Sequence, residues 1–189
     1  AILLIFVIIA YACIGGPEHW VPDLIYNYAV CVREWTTANS STLVSSFWFS
    51  YTAGRILGVF LISYIPTKIY LAADFTGAII SYIILIFNSS SDSSDIIIWI
   101  FTCTLGLSYA TMYPTGVSLT GQYFDNTKLY SIIFGFGEFT GQMMVPLGAS
   151  ILLTDTTLFF IAGTIFSGVY VVPAVVLVVL GGYFQRRGR

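Results

Sequence analysis

The stretch "IIIWIFTCTLGLSYATMYPTGVSLTGQYF", from Ile96 to Phe124, contains no charged side chain. A helix needs about 20 mainly apolar residues to cross the hydrocarbon core of a bilayer, so this stretch is long enough for one crossing. Two further uncharged runs, Trp35–Gly54 and Thr156–Gln185, have comparable lengths. Over the whole chain only 8% of residues are charged, whereas soluble domains carry about 25%. The sequence therefore predicts an integral membrane protein.

The apolar runs are continuous, whereas strands of a membrane β-barrel would alternate apolar and polar residues. We therefore expect an all-α, polytopic membrane protein with six transmembrane helices. Their approximate bounds are Ala1–Cys31, Thr42–Tyr64, Lys68–Phe87, Ile96–Gln122, Leu129–Leu153 and Thr157–Phe184. The chain begins without Met inside an apolar run, so we expect residues 1–189 to start within a helix of a longer protein.

The distribution of basic residues predicts the orientation of these helices, because Lys and Arg collect on the cytoplasmic side of membrane proteins. Five basic residues fall on one predicted side: Lys68, Lys128, Arg186, Arg187 and Arg189. Among the loops of the opposite side, Arg33 is the only basic residue. We therefore expect both ends of the segment in the cytoplasm, with the protein in the plasma membrane.

Two Asn-Ser-Ser glycosylation sequons, at Asn39 and Asn88, fall in the loops that this charge distribution assigns to the outside. The motif is short and matches by chance, so coincidence remains an alternative for each. Their shared side makes both asparagines candidate glycosylation sites.

The first predicted span contains the segment "GGPEHWVPD", Gly15–Asp23, with two prolines, two glycines and two carboxylates. Proline removes an intrahelical hydrogen bond, and glycine relaxes the backbone. We expect a broken helix here, which a membrane tolerates only against protein or a water-filled cavity. An outer loop after a short helix is the alternative.

Ionisable side chains inside membrane spans cost about 2.5–3.5 kcal/mol each on insertion scales, and each is a functional candidate by default. The predicted spans contain five: Glu18, Asp23, Arg55, Asp74 and Glu138. Arg55 and Asp74 flank the turn at Pro66 at similar distances along the chain. In an antiparallel hairpin they would lie at similar depth, so we expect a structural ion pair, with a gating role as the alternative.

Glu138 and Gln142 lie four residues apart and share one face of a helix. Glu138 falls near mid-membrane, where it either lines a cavity as a solute or proton ligand or serves as a protonated structural carboxyl. The amide of Gln142 both donates and accepts hydrogen bonds, which suits a hydroxylated solute. Trp48 and Tyr51 share a face of the second span, where aromatic rings either pack or stack against a sugar.

The sequence argues against several other functions. "TGVSLTG" lacks the second glycine of the Gly-x-Ser-x-Gly motif of a rhomboid-like serine protease, and the only histidine, His19, lies in the first span. Cys13, Cys31 and Cys103 have no metal-binding or redox spacing. The simplest interpretation is that they are small buried apolar residues. A net charge of −2 gives no basic surface for nucleic acid. We expect neither an enzyme nor a metal or organic cofactor.

Four segments resemble the C-terminal half of major facilitator transporters, helices seven to twelve. They are "GPEHWVPDLIYNYAV" (Gly16–Val30), "FWFSYTAGRILGVFLIS" (Phe47–Ser63), "GLSYATMYPTGVS" (Gly106–Ser118) and "GQMMVP" (Gly141–Pro146). Within that superfamily the sequence is most similar to the sodium-dependent glucose transporter-like group, also called major facilitator domain-containing protein 4-like. Two departures stand out. Gln142 replaces a glutamate of the group's Gly-Glu-Met-x-x-Pro pattern, while Glu138 lies one turn earlier, at a usually small position. The prolines and Asp23 of the first span also replace the glycine-rich centre of the group's seventh helix.

The resemblance implies transport of a small polar solute, such as a sugar, by alternating access between two six-helix halves. The chain would supply one half, in contact with membrane lipid, and the missing N-terminal half would complete the cavity. The first, second, fourth and fifth spans would line that cavity. A proton or sodium ion would drive a symport reaction. A six-helix scaffolding protein without transport activity is the alternative function, and a channel is a weaker one because no filter or gating-charge helix is apparent.

Overall fold

A computed structural model describes residues 2–88, 94–121 and 127–152, and this part of the chain is helical without strands. It contains five helices: α1 (Ile2–Cys31), α2 (Thr37–Leu61), α3 (Thr67–Phe87), α4 (Asp95–Gly121) and α5 (Thr127–Leu152). Within these residues, Thr67–Phe87 and Asp95–Leu119 are long and apolar enough to cross a membrane. The sixth predicted span, Thr157–Phe184, lies outside the described residues, so six crossings stay a prediction.

The predicted break in the first span is wrong, because α1 is one continuous helix that contains both Pro17 and Pro22. Packing explains the difference: Gly15, Gly16, Pro17 and Glu18 are all buried against neighbouring helices. Neighbouring helices and local backbone adjustments compensate for the hydrogen bond that a proline removes, so a membrane helix can continue through it.

Glycines allow α1 and α5 to approach closely. A Cβ atom added to Gly15 of α1 would lie 2.7 Å from the carbonyl oxygen of Glu138, and one on Gly137 of α5 would lie 2.7 Å from that of Ile8. A Cβ atom added to Gly141 would likewise lie close to the α1 backbone, whereas one added to Gly135 would face open space. Small residues on facing helices let backbones pack together in membranes. This contact fixes Glu138 beside α1.

Helix α4 packs against both α2 and α3, which have few contacts with each other. A Cβ atom on Gly54 of α2 would lie 2.7 Å from that of Ala110, and one on Gly77 of α3 would lie 2.5 Å from the hydroxyl of Ser108. Thus α4 lies between α2 and α3, although only a short turn separates these two helices in sequence.

The end of the bundle formed by the α1–α2 loop is closed by polar and aromatic contacts. Arg33 forms an ion pair with Asp95 at the start of α4, and the rings of Trp35 and Trp99 stack with centroids 6.1 Å apart. Arg33 and Asp95 lie where the distribution of basic residues predicts loops on the outer side of the membrane. Glu34, between them in sequence, has a positive φ of 54°.

The asparagines of the two sequons lie at helix ends. Asn39 is exposed in the first turn of α2, where its backbone N–H donates to the Thr36 side chain at 3.3 Å. Asn88 caps α3, and its side-chain amide nitrogen donates to the Ile84 carbonyl oxygen at 2.8 Å. The prediction that Asn39 lies in a loop is therefore wrong, since Thr36 caps a helix that starts earlier. Glycosylation at both asparagines stays a prediction.

Candidate functional site

Three polar side chains form a continuous chain of contacts inside the bundle. The Tyr51 hydroxyl donates to Oε1 of Glu18 on α1 and accepts a hydrogen bond from the Arg55 guanidinium. Arg55 also lies 3.7 Å from Oε1 of Glu18, so the two residues form an ion pair. The Glu18 side chain is only 4% exposed, whereas that of Arg55 is 52% exposed. A buried carboxylate is therefore linked through Tyr51 to a cation that remains accessible.

The sequence of α2 explains this geometry. Tyr51 and Arg55 are four residues apart, so they lie one above the other on the same helix face. The guanidinium carbon lies 4.5 Å from the centre of the Tyr51 ring, a cation–π contact, and the guanidinium also donates to the Ala110 carbonyl oxygen at 3.3 Å. The Trp48 ring, one turn earlier, lies edge-on to Tyr51 at 5.5 Å. These contacts fix the direction of the Arg55 side chain.

A cavity of about 550 Å³ lies beside Arg55. Its walls come from α2, α3, α4 and α5, and its lining is Arg55, Gly58, Val59, Ile62, Tyr70, Thr111, Tyr113, Pro114, Thr115 and Glu138. The Glu138 carboxyl interacts with the Tyr113 hydroxyl and with the charges of Arg55 and Glu18. One guanidinium therefore lies near two carboxyl groups, one buried and one lining the cavity.

The predicted ion pair between Arg55 and Asp74 is not present. Arg55 pairs with Glu18 and Tyr51, whereas the carboxylate of Asp74 accepts a hydrogen bond from the Thr111 hydroxyl at 2.7 Å. Both residues do reach α4, which lies between α2 and α3: Arg55 donates to the Ala110 carbonyl oxygen, and Asp74 accepts from the Thr111 hydroxyl. Asp74 is therefore held by a hydroxyl behind the cavity wall.

The remaining predicted pathway residues lie on the same helices but outside this cluster. Asp23 is exposed and lines a second cavity, also of about 550 Å³, between α1 and α2. Trp48 is half-buried, and its ring lies 5.8 Å from that of His19. Gln142 is half-buried one turn beyond Glu138. Of the predicted pathway residues, the structure thus brings Glu18 and Tyr51 into direct contact and places Glu138 beside Arg55, while Trp48 packs against the Tyr51 ring.

Sequence reasoning missed two contributors from α4, Tyr113 and Thr111. Both lie within the segment "GLSYATMYPTGVS" (Gly106–Ser118), and neither carries a charge. A Thr hydroxyl inside a membrane span is inexpensive because it can bond to its own helix, so Thr111 gives little signal in the sequence. Their functional position becomes visible only from the contacts with Glu138 and Asp74.

The cysteines and the acidic residues do not form a metal site in the described part of the chain, where no group of three metal-binding side chains occurs. Cys31 is exposed rather than buried, which differs from the expected apolar environment, and Cys103 is intermediate. The Cys13 side chain lies outside the described residues. For Cys31 the reason is the helix face: it lies four residues after Asn27, on the exposed side of α1, whereas Tyr28 and Ala29 of the same turn are buried.

The sequence matches several curated transporters at low identity. It is 26% identical over 131 residues to "Sodium-dependent glucose transporter 1A" of Mus musculus, a match that covers 69% of this chain and 30% of the mouse protein. Identity is also 26% to "Sodium-dependent glucose transporter 1" of Danio rerio and of Homo sapiens, over 69% of this chain and 22% and 25% of those proteins. No family model matches the sequence.

The chain is similar to sodium-dependent glucose transporters. The matched region spans less than a third of the length of these relatives. Together with the two helices that are long and apolar enough to cross a membrane, α3 and residues Asp95–Leu119 of α4, this similarity indicates an integral membrane protein related to transporters. These relatives are named as transporters rather than enzymes, which supports the prediction of a non-enzymatic function.

Proposed function

We propose that this chain forms one half of a secondary transporter that moves a sugar or another small hydroxylated solute by alternating access. The observation that carries the proposal is the Glu18–Tyr51–Arg55 chain of contacts beside a cavity that Glu138 also lines. Ionisable groups within membrane helices are costly and are usually kept for a solute, an ion or a proton. The distant similarity to sodium-dependent glucose transporters supports the same class of solute.

The cavity has a suitable size and chemistry for such a solute. Small-molecule sites commonly enclose about 300–1,000 Å³, and this cavity measures about 550 Å³. Arg55 supplies donors, Glu138 supplies acceptors, and the hydroxyls of Tyr70, Tyr113 and Thr115 do both. A sugar hydroxyl likewise donates and accepts hydrogen bonds. The lining therefore suits a neutral polyol better than an apolar ligand.

The charges of the cluster favour coupling to a cation. If Glu18 and Glu138 are both ionised, the single positive charge of Arg55 leaves one negative charge uncompensated. The second carboxylate oxygen of Glu18 is buried and has no hydrogen-bond partner among the described residues. We infer a symport reaction in which a proton or a sodium ion supplies the missing positive charge when the solute binds.

The proposal includes the arrangement of the whole transporter. The chain contributes a six-helix major facilitator-type half in the plasma membrane, with both ends cytoplasmic and candidate glycosylation sites outside. A second six-helix half completes the cavity, and the solute path lies between the halves. The chain of residues 1–189 alone should consequently give no uptake in proteoliposomes, because one wall of the path is missing.

Uptake of labelled glucose by the complete transporter tests the proposal. Glu138→Gln keeps the side-chain volume and removes the titrating charge, so uptake per surface protein should fall and its pH dependence should flatten. Thr140→Val, two residues away on the same helix, is the matched control and should retain uptake. Replacing sodium by choline separates sodium coupling from proton coupling. Unchanged uptake and an unchanged pH profile in Glu138→Gln would contradict the proposed role of this site.

A further inference from the structure

The outer half of α1 exposes polar side chains where a lipid-facing helix would expose apolar ones. His19, Asp23 and Asn27 are spaced four residues apart on one face, and all three are exposed. At the same depth the other faces of α1 are packed inside the bundle, with Trp20 2% and Leu24 5% exposed. Helix α1 therefore has an apolar buried face and a polar open face.

Helix α3 shows the opposite arrangement, which is the one expected against lipid. Its large exposed side chains are Ile69, Ile80, Ile83 and Phe87. Lipid tails are as apolar as these residues, so their exposure costs nothing in a membrane. The same bundle thus presents two different kinds of outer surface.

Asp23 and His19 lie well inside α1 and would be costly to expose to lipid. They lie about 12 and 18 Å from Cys31 along the helix, at 1.5 Å per residue. An Asp within the hydrocarbon costs about 2.5–3.5 kcal/mol on insertion scales, so a face that carries it does not suit contact with lipid. The exposed serines on α2 do not argue against lipid contact in this way, because the Ser41 and Ser45 hydroxyls donate to carbonyl oxygens of their own helix.

This polar face borders the second cavity, in the crevice between α1 and α2. Its lining is Pro22, Asp23, Tyr26, Asn27, Ser41 and Val44, and its volume is about 550 Å³. The contact between Glu18 and Tyr51 fixes the antiparallel register of the two helices, which places residues 26–28 of α1 opposite residues 41–43 of α2. The crevice therefore lies on the opposite side of the Glu18–Tyr51–Arg55 chain from the first cavity.

We propose that the crevice lined by Asp23, Tyr26, Asn27 and Ser41 is a second binding site for the same hydroxylated solute, on the outer side of the Glu18–Tyr51–Arg55 chain. This inference rests on the proposed transport function. A carboxylate, an amide, a phenol and a hydroxyl supply both acceptors and donors for a polyol. The lining contains no basic side chain, which disfavours an anionic ligand. Solute would occupy this site before it reaches the inner cavity.

Cysteine protection tests this site directly. In the complete protein, Cys13, Cys31 and Cys103 are first replaced by serine, because Cys31 lies only one turn from the crevice. Asn27→Cys is then exposed to a charged maleimide from either side of the membrane, with and without glucose. Ile83→Cys is the matched control, since it lies four residues from the end of α3 as Asn27 lies four from the end of α1.

We expect Asn27→Cys to react with the maleimide much faster than Ile83→Cys. A glucose concentration about ten times its Kd should slow the reaction at Asn27→Cys about tenfold, because only the empty site reacts. Asp23→Asn in the same background should weaken this protection.

Three outcomes would overturn the second site: labelling no faster than at Ile83→Cys, labelling that glucose does not slow, or protection by sodium alone. Glucose uptake is measured on the same protein, so the two proposals can fail separately. Uptake without protection would support the transport function and contradict the second site. Protection without uptake would support the second site and contradict the transport function.

Discussion

The hydroxyl of Tyr51 should stabilise the folded bundle far more than its size suggests. Tyr51→Phe keeps the ring, its contact with Trp48 and the cation–π contact with Arg55, and removes only the group that donates to Glu18. The second oxygen of Glu18 already has no hydrogen-bond partner among the described residues, so the whole carboxyl group would be left without one. Hydrogen bonds to charged groups contribute about 1.5–3 kcal/mol, and we expect a loss of that size.

The loss should come from Glu18 rather than from Arg55. The Arg55 side chain is 52% exposed, so water can replace its contact with the hydroxyl, and exposed ion pairs contribute only about 0–1 kcal/mol. Replacing both partners of a buried hydrogen bond by apolar groups of similar shape can be nearly neutral. Glu18→Met combined with Tyr51→Phe should therefore recover about 1 kcal/mol or more relative to Tyr51→Phe alone.

Reversible unfolding in mixed micelles, followed by circular dichroism, measures these differences. Tyr64→Phe is the control, because Tyr64 is 85% exposed near the other end of α2 and its change should stay within about 0.5 kcal/mol. The reasoning is refuted if Tyr51→Phe behaves like Tyr64→Phe, or if the double variant is no more stable than Tyr51→Phe.

Three further predictions concern packing and local geometry. Gly141→Ala should separate α1 from α5 and lower the Tm in detergent, whereas Gly135→Ala, which faces open space, should leave it unchanged. Thr111→Val removes the hydrogen-bond donor to Asp74 and should destabilise the bundle by about 1–3 kcal/mol in the unfolding assay; adding Asp74→Leu should recover part of this, and no recovery would contradict the pairing. Glu34→Gly should raise stability by about 0.5 kcal/mol, since a non-glycine residue at positive φ is strained; a lower unfolding midpoint would contradict this.

The sequence predicted the helices well where apolar runs have sharp polar ends. The predicted bounds of α3, Lys68–Phe87, differ from the observed Thr67–Phe87 by one residue, and those of α4 also differ by one residue at each end. The start of α2 was placed five residues late, at Thr42, because the polar segment before it was interpreted as a loop. The Thr36 side chain caps α2 there by accepting a hydrogen bond from the Asn39 N–H, and a Thr directly before a helix is a recognisable start signal.

The interruption predicted at Gly15–Asp23 could not be resolved from the sequence, because the effect of proline depends on what surrounds the helix. In isolation Pro17 and Pro22 each weaken the backbone hydrogen bonding of α1. In the bundle, α5 packs so closely on Gly15 that the continuous helix is the better-packed arrangement. Local propensity therefore gave the wrong answer at a point where another helix packs closely on α1.

For the predicted pair of Arg55 and Asp74, the sequence gives the depth of each residue in the membrane but not its angle around its helix. Counting residues from the turn at Pro66 gives the depth of Arg55 and Asp74, and this depth was correct: Arg55 reaches Ala110 and Asp74 reaches Thr111, which are adjacent on α4. Depth leaves the angle around each helix undetermined. Because α4 lies between α2 and α3, the Asp74 carboxylate meets Thr111 of α4 rather than Arg55. Arg55 instead meets Glu18 because Tyr51, on the same face of α2, bridges to α1.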